Sequence, residues 1–159
     1  MFCGQELGVP VTVLTGYLGS GKTTLLNHIL RSSRHGMRFA IIENEFGDVG
    51  VDEKVIRVTD STDEEVIEVT NGCVCCTVRR DLVQALKRLH SKVAKFDAVI
   101  IETSGLADPG PVAQTFLMDR DIRRMYTLDG ICTVVDAKHI AQHLEEEKPE
   151  GVENEAVEQ

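Results

Sequence analysis

At 159 residues and 42% hydrophobic content the chain has the length and the apolar material of one domain, and five cysteines, three of them within four positions, argue against a disulfide framework. The formal charge is −9, but Glu145 to Gln159 holds seven glutamates against one lysine and so carries −6 of it, leaving a body that is near neutral and has no basic stripe to neutralise a duplex; nucleic acid is excluded as a partner. No run of 18 apolar residues occurs, and "MFCGQELGVP" has neither a basic n-region nor an apolar h-region, so no membrane association is expected and the cytoplasm, with the nucleus beside it, is the expected location.

Strand and helix signals then alternate. "VPVTVLT" (9–15) reads as a strand ending at Gly16, and residues 22–33 place Leu25, Leu26, Ile29 and Leu30 at helical spacing. "RFAII" (38–42) reads as a second strand, and "VIRV" and "EVIEV" as two short strands around the acidic turn "TDSTDE". Residues 78–93 form an amphipathic pattern with Thr77 as N-cap; "AVII" (98–101) is apolar without alternation, as in a strand covered on both faces. "PVAQTFLMDRDIRRMY" reads as one helix and "ICTVVD" (131–136) as a further buried strand, with Cys132 as core filler. This order implies an α/β fold with a mostly parallel sheet, helices on both faces and ligands at the carboxyl ends of the strands. The Glu-rich residues 145–159 read as a solvated tail or the start of a helix.

"GYLGSGKT", Gly16 to Thr23, lies between a strand and a helix and fits G-x-x-x-x-G-K-[ST]. Glycines let such a loop curl its N–H groups toward phosphate, Lys22 brings a compact charge to the β- and γ-phosphates, and the Thr23 hydroxyl can ligate Mg²⁺. Gly16, Tyr17, Leu18, Gly19, Ser20, Gly21, Lys22, Thr23 and Thr24 are the expected nucleotide-binding residues. Glu102, ending "DAVIIE", is placed to hold Mg²⁺ directly or through water, against the plainer reading of a strand-end charge; Gly105 lets a loop approach the γ-phosphate. "ENEFGDVGVD" is an acidic loop carrying Glu43, Glu45, Asp48 and Asp52, with Glu45 and Asp48 as the candidates to position Mg²⁺ or the attacking water, against the plainer reading in which two or more of the four are solvated charges.

"NGCVCCTVRR" brings together Cys73, Cys75 and Cys76, with Arg79 and Arg80 after them. Three thiolates fill three of four zinc positions and leave an open one, and a following helix N-terminus with two arginines would depress the thiol pKa values. Redox chemistry and core packing are the competing readings, and the scattered His28, His35, His90, His139 and His143 name no fourth ligand.

"GYLGSGKTT", "NEFGDVGVD", "NGCVCC", "ETSGLADP" and "VVDAKH", in this order, resemble the CobW-like metallochaperone GTPases, and most of all their eukaryotic zinc-chaperone branch. The resemblance spans the chain from Val9 and implies a P-loop NTPase fold: residues 1–8 as an N-terminal tail, 9–144 as a partial GTPase domain, and 145–159 as the acidic tail or the start of a truncated helix. It implies GTP, Mg²⁺ (Thr23, Glu102) and Zn²⁺ (Cys73, Cys75, Cys76), with Lys22, Glu45, Asp48 and Glu102 in catalysis. Zinc delivery to a client metalloprotein, coupled to GTP hydrolysis, is the implied function, with type 1 methionine aminopeptidase as an implied client and room for a homodimer. The alternatives are a chaperone for cobalt or another metal, or a non-catalytic metal-binding fragment. Family members continue into a strand bearing an Asn/Thr-Lys-x-Asp guanine motif and a C-terminal domain; neither is in this chain, which reads as C-terminally incomplete, and "MFCGQELGVP" is no close copy of the branch's Cys-Pro-Glu-Leu-Val-Pro docking motif.

Overall fold

The computed structural model describes residues 8–32, 34–44, 53–59, 64–70, 78–92, 96–149 and 151–159. Cys73, Cys75, Cys76, Thr77, Glu45, Asp48 and Asp52 lie outside them.

The elements in order are β1 (Val9–Thr15), α1 (Lys22–Arg31), β2 (Phe39–Asn44), β3 (Glu53–Thr59), β4 (Glu64–Thr70), α2 (Val78–Lys92), β5 (Ala98–Thr103), α3 (Gly110–Met118), α4 (Arg120–Met125), β6 (Tyr126–Thr133), α5 (Ile140–Glu145) and α6 (Glu155–Glu158). The strands form one sheet in the order β4-β3-β2-β5-β1-β6. β2, β5, β1 and β6 are mutually parallel, whereas β3 runs antiparallel to both β2 and β4. Two reversals restore the direction, so β4 points the same way as the parallel four. Thr15, Asn44, Thr70, Thr103 and Thr133 therefore all lie along one edge of the sheet.

Side-chain alternation along the parallel strands builds two cores. Val11 and Val13 of β1, Ala40 and Ile42 of β2, and Val99 and Ile101 of β5 share one face, covered by Leu82, Ala85, Leu86 and Leu89 of α2, Val112 and Phe116 of α3 and Ile122 of α4. Leu14, Phe39, Ile41, Ala98 and Ile100 point the other way, onto Leu26 of α1 with Leu25, Ile29 and Leu30 beside it. The strands with apolar residues on both faces are thus sandwiched between helical layers, as continuous apolar runs demand. Tyr126 pins β6 to the α2 side: its hydroxyl donates to the Leu86 carbonyl at 2.9 Å, its ring stacks on Phe96, and burial pushes its phenol well above the usual tyrosine range. Among the described residues no helix is long and apolar enough to cross a membrane.

Three details differ from the sequence expectation. The helix expected through Tyr126 is broken at Asp119, whose backbone is extended (φ −86°, ψ 119°) and whose carboxylate accepts from the N–H groups of Asp121 and Ile122. A short acidic side chain that can satisfy the first N–H groups of a new helix competes with continuing the old one. Asp119→Ala is expected to cost about 1 kcal/mol of stability, read as a lower midpoint in urea unfolding. The last strand, in turn, begins at Tyr126, five residues before the apolar run "ICTVVD", because Val9–Thr15 pair with Tyr126–Thr133 across a register shift after Val11. Finally, β6 bonds only to β1 in the described sheet, so Ile131 is 46% exposed, and Cys132 is exposed and free where the sequence suggested a core position.

Candidate nucleotide site

The loop between β1 and α1 has to turn sharply at Gly16. Its φ is +137°, and a Cβ there would run into the carbonyl oxygen of Val134, so only glycine fits. The loop ends on Gly21, the N-cap of α1, which offers no side-chain cap; the N–H groups of the first turn thus face the loop, carrying the positive end of the helix dipole.

Lys22 is buried, 8% exposed, and its Nζ donates to the carbonyls of Gly16 (2.6 Å) and Tyr17 (3.3 Å). The ammonium gathers the loop around itself, with two of its three donors engaged among the described residues. Burial pulls the Lys22 pKa below the usual lysine range, and the Glu102 carboxylate pushes part of the way back. A bound phosphate would favour the charged form. Nucleotide binding at alkaline pH is therefore expected to take up protons, and affinity to fall as pH rises through the lowered Lys22 pKa; calorimetry in buffers of different ionisation enthalpy reads both.

Glu102 reaches the site by strand periodicity. It follows Ala98 and Ile100 on the α1 face of β5, its Cα pairs with Leu14, and its Oε1 accepts from Thr23 Oγ1 at 2.6 Å. A hydroxyl and a carboxylate at this distance form a hard oxygen donor set suited to Mg²⁺ beside phosphate oxygens and water. The magnesium assignment to Thr23 and Glu102 fits the residues. Glu43 is the register partner of Glu102 on β2 and lines the same cleft. After β5, Gly105 lies so close to the phosphate loop that a Cβ on it would come within 2.6 Å of Leu18 Cα, so the loop at 104–107 rests directly on the cradle.

Together these elements enclose a cleft of about 730 Å³, of nucleotide size, running from Gly19 and Lys22 past Asn27 to Glu43 and Ser104. Gly19, Gly21, Lys22, Thr23 and Thr24 line it with Glu102, whereas Tyr17 and Ser20 face a second, smaller cavity of about 50 Å³ beneath the loop.

The acidic segment is not wholly solvated. Glu145, Glu146 and Glu147 are exposed, but Asn154 Nδ2 donates to the His143 carbonyl at 2.8 Å, Ala156 is buried, and Gln159 hydrogen-bonds Thr15 and Gly16. Tyr17 packs on His143 with ring centroids 4.6 Å apart. No motif points to Gln159, whose partners Thr15 and Gly16 lie more than 140 residues away in the chain. Thr15 and Thr103, joined by a buried hydroxyl bond of 2.9 Å, were legible only as strand residues.

Among the described residues no group of three His, Cys, Asp or Glu side chains could hold a metal. β4 nevertheless ends three residues before Cys73, on the same edge as the phosphate loop. At about 4.8 Å per strand its end lies roughly 14 Å from that of β5.

The sequence profile described as "CobW/HypB/UreG, nucleotide-binding domain" matches residues 10–159. Zinc-regulated GTPase metalloprotein activator 1 of Schizosaccharomyces pombe is 45% identical over 147 residues, covering 90% of this chain and 35% of that protein. Zinc chaperone YjiA of Escherichia coli is 44% identical over 142 residues, covering 86% and 43%. The crystal structure of Zn(II)-bound YjiA GTPase from E. coli superposes with a TM-score of 0.59 at 37% identity, over 86% of this chain and 43% of that one. A Zn(II)-bound triple mutant of YjiA GTPase, with one glutamate and two adjacent cysteines replaced by alanine, gives the same TM-score at 36% identity. The chain spans well under half the length of these relatives.

Proposed function

Because the chain belongs to the CobW/HypB/UreG nucleotide-binding family, we propose that it is the nucleotide-binding part of a GTP-dependent zinc chaperone, which holds zinc as cargo and passes it to a client metalloprotein as GTP is hydrolysed. The observation that carries this reading is the Lys22, Thr23 and Glu102 constellation, set at the sheet edge on which β4 also ends, three residues before the cysteines. Within the loop from Gly16 to Thr24, Gly19, Gly21, Lys22, Thr23 and Thr24 face the phosphates, and Lys22 neutralises the β- and γ-oxygens. Thr23 and Glu102 would hold Mg²⁺, which when bound would supply charge stabilisation to the phosphate oxygens. Glu45 and Asp48, one and four residues past the end of β2 in sequence, orient the attacking water.

Cys73, Cys75 and Cys76 supply thiolates to zinc. The names of the relatives support zinc as the cargo. Glu43, at the carboxyl end of β2 and two strands from β4, is a carboxylate on the same sheet edge and a candidate to join Cys75 and Cys76. GTP then orders the segment after β2, tightens the zinc site, and its hydrolysis releases the metal. Ligand-driven switching of this kind requires that GTP and GDP bind the two arrangements unequally.

Phosphate release is the direct test. The zinc-loaded chain is expected to hydrolyse GTP and to transfer zinc to an apo-metalloenzyme faster with GTP than with a non-hydrolysable analogue; equal transfer rates would contradict the proposal.

A further inference from the structure

Gln159 makes hydrogen bonds in three directions from one planar amide. Its Oε1 accepts from Gly16 N at 2.7 Å and from Thr15 Oγ1 at 2.9 Å, and its Nε2 donates to the Ala107 carbonyl at 2.9 Å. Its main-chain oxygen accepts from Thr133 Oγ1 at 3.0 Å. The chain of hydroxyls continues inward, since Thr103 Oγ1 donates to Thr15 Oγ1 at 2.9 Å. One side chain thus joins the end of β1, the first residue of the phosphate loop and the loop that follows β5.

We infer that Gln159 is a positioning residue that fixes Gly16 and clamps the loop after β5 against the phosphate loop, so that nucleotide affinity depends on it; this rests on the nucleotide reading above. The chemistry requires an amide. The acceptor half takes two hydrogens from β1 and Gly16 while the donor half reaches Ala107, a combination that a carboxylate or a thioether cannot supply. Gly16 is the pivot. Its N–H is held by Gln159, and its carbonyl is the 2.6 Å acceptor for Lys22 Nζ, so the residue that orients the phosphate-binding lysine is itself oriented from the opposite side. Ala107 lies two residues beyond Gly105, the point at which the second loop touches Leu18, so the donor half of the amide holds that contact closed. Gln159 is presented by the short helix α6, which Asn154 caps by accepting from Ala156 N and ties to the carbonyl of His143.

The test is carried out on the whole 159-residue chain with GTP and Mg²⁺ as the probe. Q159M keeps the length of the side chain and removes both hydrogen-bonding halves; T15V keeps the shape of Thr15 and removes its hydroxyl. Q159M is expected to raise the dissociation constant about tenfold and T15V about threefold, with the double variant no weaker than Q159M, because both act through one network. A purely structural role would lower the melting temperature and leave the affinity of the folded chain unchanged. Q159M within twofold of a parent that binds, while K22A binds about 100-fold more weakly, would overturn the inference alone. A parent with no nucleotide affinity would overturn the underlying reading and this one with it. Should Q159M fail to fold, T15V carries the test, and an affinity equal to the parent's would overturn the clamp.

Discussion

Lys22→Ala is expected to weaken GTP binding about 100-fold, with the fold intact by circular dichroism and zinc affinity in the absence of nucleotide unchanged. The magnitude follows from one charge-assisted phosphate contact by the remaining donor, at the upper end of roughly 1.5–3 kcal/mol. Stability should change little, because alanine removes a desolvated ammonium along with its bonds to the Gly16 and Tyr17 carbonyls. Lys22→Arg is expected to fail as well: the ammonium is a compact charge enclosed by its own loop, and a planar guanidinium needs more space and a different donor geometry. Isothermal titration with GTP and Mg²⁺ reads both variants. Binding by K22A within a few-fold of the parent would remove the lysine from the phosphate site.

Cys75→Ala should produce the complementary loss. If zinc binding at a closed site is worth about 10–16 kcal/mol over four ligands, one thiolate accounts for roughly 3 kcal/mol, about a 100-fold fall in affinity. Competition with a chromophoric chelator measures it. GTP affinity at a metal-free chain should stay within twofold, and Cys132→Ala, at the exposed thiol on β6, should leave both affinities where they are. Equal zinc affinities for C75A and its parent would return the three cysteines to one of their other readings.

The glycine loop and the cleft it lines were legible because their signal is local. A glycine loop, a lysine and a hydroxyl within eight residues leave little choice of geometry, and the strand before and helix after them follow from apolar period alone. Glu102 was legible at one remove, since a carboxylate ending a buried strand has to emerge at the edge where the loop sits, and its bond to Thr23 bears this out. The break at Asp119 was not, because an acidic residue inside a run of good helix formers reads as a surface position until its carboxylate is seen to cap Asp121 and Ile122. Nor was the start of β6: "YTLDG" lacks the apolar density of "ICTVV", and it is pairing with β1 rather than composition that makes it a strand. Gln159 left no local signal at all, as its side-chain hydrogen bonds run to Thr15 and Gly16 near the other end of the chain and to Ala107.

The sheet order also bears on the coupling of the two ligands. β4 runs in the same direction as β1, β2 and β5 only because the β3 and β4 hairpin reverses twice, which brings the residue before "NGCVCC" to the phosphate edge. A single extra or missing strand would have sent that segment to the opposite edge. Glu43 and Glu102 are register partners at the ends of neighbouring strands, and both line the cleft.

The most direct measurement is the zinc dissociation constant of this chain with a non-hydrolysable GTP analogue, with GDP and without nucleotide, at fixed Mg²⁺. Tighter zinc binding in the GTP-analogue state than in the other two, by about tenfold or more, is the predicted result. Three equal constants would contradict a cargo site gated by nucleotide.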